Sequence, residues 1–395
     1  MLLQISTSAL ADALTAVSKA MYAKNSIMIL DNALLSCENG KYYITGGSTD
    51  TCLRMPIEVN LMKGNFEPIM LPLALLNQSL ALLPDVPIVF DVTPAGKGYS
   101  VKCEYSGKGE QQKGRFSFTA ESGKDYPMMN VSGDTLVDFT VETTYLLPPL
   151  VACADFTEKK LDNSPLFNLT VRASCEGYEV VGTNGHRLYK YSHEVGAGFA
   201  SGEGVKVQPD GQLMQQHIMM LPQVVSALAY AFRKQERICV SMTGNTIIYS
   251  SDGIRMMITA REGKYPNYNS VIPFESQYKV VLNRKELTEA LKRVNLFASA
   301  ATNLIKLTAN GLLINIGAED IDYSRASSED IVIIDSNLPS DFKVGINASH
   351  FLRLVNNVTT ENVRLLFNSP SQPILIEDDD DNTDIIFFMV IAPFS

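Results

Sequence analysis

The stretch "VVGTNGHRLYKYSH", Val180 to His193, holds the residues best suited to catalysis: His186 beside Arg187, behind a Thr183-Asn184-Gly185 turn signal. An imidazole acts as a general base only with a nucleophile or an orienting carboxylate within hydrogen-bond reach. No motif in the chain supplies that partner, although partners can be distant in sequence. Apolar "YEVV" before the turn and "RLYKY" after it make this a strand-to-strand connection. Three readings stand at this point: a catalytic His186, a purely structural turn, or the rim of a protein-docking pocket.

Other candidates for chemistry have less support. Gly96-Lys97, Gly107-Lys108 and Gly123-Lys124 lack both the earlier glycine and the following Ser or Thr of a phosphate-binding loop. His193, His217 and His350 lie far apart, without metal-ligand spacing. The acidic run Glu377 to Asp381 has no spaced oxygen-ligand pattern and reads as a solvated hairpin tip. Cys37, Cys52, Cys103, Cys153, Cys175 and Cys239 form no C-x-x-C pair, so free thiols in a reducing compartment are expected. Neither a metal nor a cofactor is implied.

What must position these residues is a long chain with ample core material. Its 395 residues suit two or three domains, and 46% apolar against 19% charged residues exclude compositional disorder. No apolar run reaches the length of a membrane span, and the N-terminal stretch has no basic residue before Lys19, unlike a signal peptide. A soluble, cytoplasmic protein is expected.

The chain repeats one plan three times. Leu10, Leu14 and Val17 share a helical spacing with Leu287, Leu291 and Val294, and "TTYLLPPLVACADF" from Thr143 is a third such stretch, its start blurred by Pro148 and Pro149. Second helix candidates begin at Leu71, Leu221 and Asn347, and period-2 strands follow each. A Tyr-Pro step closes the strands in "GKDYP" and "GKYP". The fold class is α+β, as three copies of two helices on antiparallel sheet: 1–133, 134–276 and 277–395.

An open row of three such units leaves sheet edges at both ends, which head-to-tail association of two chains removes by closing a ring of six. Phe116, Phe118, Leu296 and Phe297 are the candidate junction residues; the alternative is that they are ordinary core. The formal charge of −10 is unlike a nucleic-acid binder. It is unevenly spread: the six helix windows sum to +6 and the remainder to −16. Basic helices lining a ring would attract phosphate weakly and without sequence preference, while the acidic outside repels it.

"TNGHRL" (Thr183 to Leu188), "KYPNYNSVIP" (Lys264 to Pro273) and "NRKELTEALKRVNLFA" (Asn283 to Ala298) resemble the bacterial DNA polymerase III beta subunit family, the replicative sliding clamps. The resemblance spans the whole chain. It implies the DNA-clamp fold, a homodimeric ring around double-stranded DNA, and no enzymatic activity. It also implies a hydrophobic cleft between the second and third copies that takes Gln-, Leu- and Phe-rich peptides. Those peptides would come from the DNA polymerase III catalytic subunit, the clamp loader and repair polymerases.

Carried over by position, the cleft would use Leu166, Thr183, Gly185, His186, Arg187, Leu188, Pro266 and Val271, with Asn347, Ser371, Pro373, Val390, Pro393 and Phe394. Lys24 matches a DNA-facing family arginine, and Lys159, Lys160, Arg233 and Lys234 are added from the helix charge count. Ala392 stands where a methionine is usual, Ser270 where some members have arginine, and His350 where some have tyrosine. These departures, and the longer segments 194–212 and 377–384, bear on the groove's shape and peptide preference. The competing readings are an intracellular enzyme using His186 and a repeat-built scaffold that never encircles DNA.

Overall fold

A computed structural model describes residues 1–21, 25, 27–107, 113–157, 165–173, 177–194, 217–273, 275–380 and 385–391. Six helices fall in the expected windows: α1 Thr7–Lys19, α2 Leu73–Leu80, α3 Thr143–Phe156, α4 Val224–Phe232, α5 Arg284–Asn295 and α6 Ala348–Val355. Local chemistry sets their ends. The Ser6 hydroxyl accepts from the Ala9 amide at 3.3 Å, and the Asn283 side chain accepts from Lys285 and Glu286 amides at 3.0 and 3.1 Å. Helix α5 also carries Glu286 in its first turn and Lys292 and Arg293 in its last, matching the helix dipole. Leu10, Leu14 and Val17 of α1 and Leu287, Leu291 and Val294 of α5 are all buried.

Helix α3 runs through Pro148 and Pro149, which remove two amide donors from its interior. Its first turn is held from outside, where the Thr143 amide donates to the Glu236 carbonyl at 2.8 Å.

The chain divides into two compact units, Met1–Val151 with Gly198–Arg261, and Ala152–Ala197 with Glu262–Ser395. The first is built on a 13-stranded antiparallel sheet running from Thr135–Glu142 at one edge to Val59–Lys63 at the other. In the second, the strands run Leu169–Ala173, Gly177–Thr183, Arg187–Glu194, Ile385–Ile391, Ile374–Asp378, Asn362–Phe367, Tyr278–Asn283, Arg325–Ser336, Leu313–Asp320, Leu304–Asn310 and Lys343–Asn347.

Within each unit one pairing joins strands that the repeat plan assigns to different copies. Ile254–Thr259 lies antiparallel to Thr51–Ile57, with Met257 opposite Cys52. Arg187–Glu194 lies antiparallel to Ile385–Ile391, with Leu188 opposite Val390. Helices follow the same rule. The Tyr230 hydroxyl of α4 donates to Asp12 of α1 at 2.8 Å, and Arg353 of α6 pairs with Asp155 of α3 at 3.2 Å.

Apart from the strands at the sheet ends, two stretches are paired along one side only. Among the described residues, 113–120 pair only with Gly98–Ser106, and 325–332 only with Leu313–Asp320. The expected junction residues divide. Leu296 and Phe297 are 76% and 38% exposed, and Phe116 is half-buried. Phe118 is instead buried, its ring edge-on to Phe90 at 6.1 Å, so it belongs to the core of its own sheet. Cys52, Cys103 and Cys153 are buried free thiols, and burial raises the first two to about 11 and about 12. Cys37 and Cys239 are free and half-buried.

Candidate peptide-binding pocket

The Thr-Asn-Gly turn is specified by its own side chains. Asn184 Oδ1 accepts from the amides of His186 and Arg187, both at 3.1 Å. The Thr183 hydroxyl donates to the Arg187 carbonyl at 2.8 Å and accepts from the Gly185 amide at 3.1 Å. Gly185 has φ +84°, a left-handed conformation that a side chain would strain. The turn lifts Gly185 and His186 to the surface and folds Arg187 inward. There Arg187 is 6% exposed, its Nη2 donating to the Asp155 carbonyl at 2.7 Å and its guanidinium 5.2 Å from the Phe156 ring centre. Arg187 ties the strand to the end of α3.

The segment after the Tyr-Pro step forms the facing wall. The Tyr265 hydroxyl donates to the Val181 carbonyl at 3.4 Å, and the Tyr268 hydroxyl to Glu179 Oε2 at 2.7 Å. Both tyrosines thereby pin a short 3-10 turn, Tyr268–Val271, to the strand Gly177–Thr183. Glu179 also meets Lys190 Nζ at 2.8 Å and Arg172 Nη1 at 3.6 Å. Burial pushes the Glu179 carboxyl up, but Lys190, Tyr268 and Arg172 outweigh it and hold the group below the usual glutamate range.

Between turn and wall lies a hollow of about 210 Å³, lined by Leu166, Thr183, Gly185, His186, Arg187, Leu188, Pro266, Asn267, Tyr268, Val271 and Pro373. Its walls are mostly apolar, and Val271 is half exposed at its mouth. Larger hollows of about 600 and 550 Å³ have walls as polar as they are apolar. A small apolar hollow with a few polar groups on its rim suits an inserted leucine or aromatic side chain.

Nine residues expected at the cleft line this hollow, and two do not. The Asn347 side chain is engaged as the cap of α6, accepting from the His350 amide at 2.9 Å and donating to the Thr302 carbonyl at 3.0 Å. Ser371 is exposed, its hydroxyl 3.3 Å from that of Ser369. Val390 is placed by its strand beside Leu188. Pro393, Phe394, Lys24, Lys159 and Lys160 lie outside the described residues. Asn267 and Tyr268 were missed; Tyr268 sits two residues past the Tyr-Pro step, and its spacing alone carried no sign of Glu179. Near the turn, burial first and then Arg187, His186 and Arg353 push His350 below the ordinary histidine range. Among the described residues no hydrogen bond or ion pair links the His186 ring to a carboxylate, and no cluster of three His, Cys, Asp or Glu could hold a metal.

Residues 269–391 match the family model described as DNA polymerase III beta subunit, C-terminal domain. The beta sliding clamp of Synechocystis sp. is 24% identical over 385 residues, covering 93% of each chain. That of Helicobacter pylori is 30% identical over 122 residues, 30% of each. The structure of a Pseudomonas aeruginosa DnaN sliding clamp superposes with TM-score 0.84 at 20% identity, covering 100% of this chain and 99% of that one. The DNA polymerase III beta subunit of Thermotoga maritima gives 0.83 at 18%, covering 100% of both. The architecture is that of the DNA clamps, a repeated α+β plan with helices on antiparallel sheet. Within that class, residues 269–391 match the C-terminal domain of the DNA polymerase III beta subunit, and the curated relatives similar to the whole chain are beta sliding clamps.

Proposed function

We propose that two copies of this chain close head to tail into a ring around duplex DNA and tether replication proteins, without catalysing a reaction. The observation that carries this is the recurrence of one seam. In each unit, the third strand after one copy's first helix pairs with the third strand after the next copy's second helix. By that rule, 325–332 of the third copy needs a strand equivalent to 113–120 of the first, and both edges lack such a partner among the described residues. Two such pairings between two chains leave neither edge open. Leu296 and Phe297 of one protomer and Phe116 of its partner flank this junction. In this reading the chain is three copies, 1–133, 134–276 and 277–395.

In this reading the helices face the duplex, and Arg233 and Lys234 are among the cations near it. The hollow beside Gly185 and His186 takes the leucine or phenylalanine of a short peptide from the replicative polymerase, the clamp loader or a repair polymerase. A cytoplasmic site of action fits this role; no helix among the described residues is long and apolar enough to cross a membrane.

The test is topological. The protein is loaded onto nicked circular DNA with its cognate loader and ATP, and the circle is then cut. Retention on circles with loss on cutting is expected. Equal retention on both would mean that ordinary affinity holds the protein, and the ring would be wrong.

A further inference from the structure

Asp12 sits on α1 where α4 ends, surrounded by partners. It accepts from the Tyr230 hydroxyl at 2.8 Å and from the Arg233 guanidinium, and Lys234 Nζ stands 3.5 Å from its other oxygen. Tyr230 supports the group from beneath: the Arg233 guanidinium lies 3.9 Å from its ring centre and Lys19 Nζ 5.4 Å. Arg233 is further fixed by donating to the Tyr230 carbonyl. Partial burial works against the Asp12 charge, but Tyr230, Arg233 and Lys234 outweigh it and hold the carboxyl below its usual range. The side chains of Asp12 and Arg233 are 31% and 32% exposed, so the pair is open to solvent on one side.

A carboxylate and a phosphate monoanion compete for the same guanidinium fork. The two cations counted as DNA-facing just past the end of α4 are thus already engaged from within the chain. We propose that Asp12 sets how weakly the ring holds DNA, because a backbone phosphate must displace it from Arg233 and Lys234 to bind either. This rests on the reading that α1 and α4 face the duplex. A ring held on by topology gains mobility from each phosphate contact it withholds, since every neutralised phosphate adds to the salt-dependent hold. Asp12 acts here as a positioning residue: it touches the cations rather than the DNA.

The experiment uses full-length protein and a linear duplex, with binding followed by fluorescence anisotropy from 200 down to 50 mM salt. Asp12→Asn keeps the shape and an oxygen acceptor for Tyr230 while removing the charge. Freeing one or two cations should steepen the salt slope by roughly 0.9 to 1.8, an extra gain of about three- to twelvefold in affinity over that fourfold dilution. Asp12→Asn with Arg233→Gln should return about 0.9 of that slope, Arg233's share, whereas a merely structural role would leave the slope alone. If Asp12→Asn melts early, Asp12→Ser gives the same readout with a smaller side chain. A slope equal to that of the unaltered protein, or weaker binding, overturns the proposal. Circle retention by the unaltered protein separates the two failures: its loss sinks the ring, while its survival beside an unchanged slope sinks only Asp12.

Discussion

Replacing Tyr268 with phenylalanine removes one oxygen from the pocket's facing wall and tests whether that wall is held from behind. The hydroxyl makes a 2.7 Å hydrogen bond to a carboxylate that keeps its charge, and the Glu179 side chain is only 23% exposed. Hydrogen bonds to charged groups contribute about 1.5–3 kcal/mol when the acceptor is left without a replacement. Lys190 at 2.8 Å and Arg172 at 3.6 Å remain on Glu179, so the loss should fall at or just below the bottom of that range, about 1–1.5 kcal/mol. Two readouts follow. The melting temperature should drop by about 2–5 °C. A fluorescent Gln-Leu-Phe peptide should bind about three- to tenfold more weakly, because Val271 and Pro266 ride on the turn that Tyr268 pins and tenfold corresponds to 1.4 kcal/mol. Glu179→Gln keeps an acceptor but also takes the charge from Lys190 and Arg172, and should lose at least as much as Tyr268→Phe. Unchanged melting and affinity in Tyr268→Phe would show that the wall stands without this anchor, and that the geometry behind the pocket has been over-read.

Leu296→Asp places a charge on a residue 76% exposed in the single chain and should yield monomers by sedimentation velocity. Each buried leucine contributes about 1.5–3 kcal/mol and the proposed ring would have two junctions, so a dimer mass at micromolar protein would mean the junction lies elsewhere. Glu179 also gives a pH dependence. Its folded value is held below the ordinary 4.5, so its contribution is present above about 4.5 and lost as pH falls through the lower folded value. Glu179→Gln should therefore be less stable at pH 7 and show a flatter acid limb in urea melts at pH 7, 5, 4 and 3. Parallel curves for the two proteins would remove Glu179 from the account.

Much of the fold was legible because helix periodicity is local. The spacing of Leu10, Leu14 and Val17, repeated at Leu287, Leu291 and Val294, marks buried helix faces whatever lies beneath them. Pro148 and Pro149 blurred α3, since the bond that secures its first turn comes from Glu236, far along the chain. Strand alternation was less informative. In "RFSF" it places Phe116 and Phe118 on one face, but the closeness of Phe90, which buries Phe118, is a fact of strand order. The turn at Thr183-Asn184-Gly185 was legible for the same local reason as the helices, its side chains bonding their own backbone. The Glu179 anchor was not, because Tyr268 and Glu179 meet across 89 residues of chain.

The charge pattern shows the limit of counting residues. The helix windows carry a formal +6, yet Arg233 is held by Asp12, Arg293 by Glu329 at 2.7 Å, and Arg353 by Asp155 at 3.2 Å. Each of these arginines is tied to a carboxylate from another element; Asp12 and Asp155 already stand in the sum, and Glu329 lowers it further. For a protein that held DNA by affinity this would be self-defeating. For one held on by closure it is consistent, because phosphate attraction beyond what keeps the duplex centred only slows sliding. The same residues meanwhile do structural work: Asp12 with Arg233 joins α1 to α4, and Asp155 with Arg353 joins α3 to α6. In the proposed ring, α2 would be the counterpart of α4 and α6, and it carries no charged residue to repeat such a bridge.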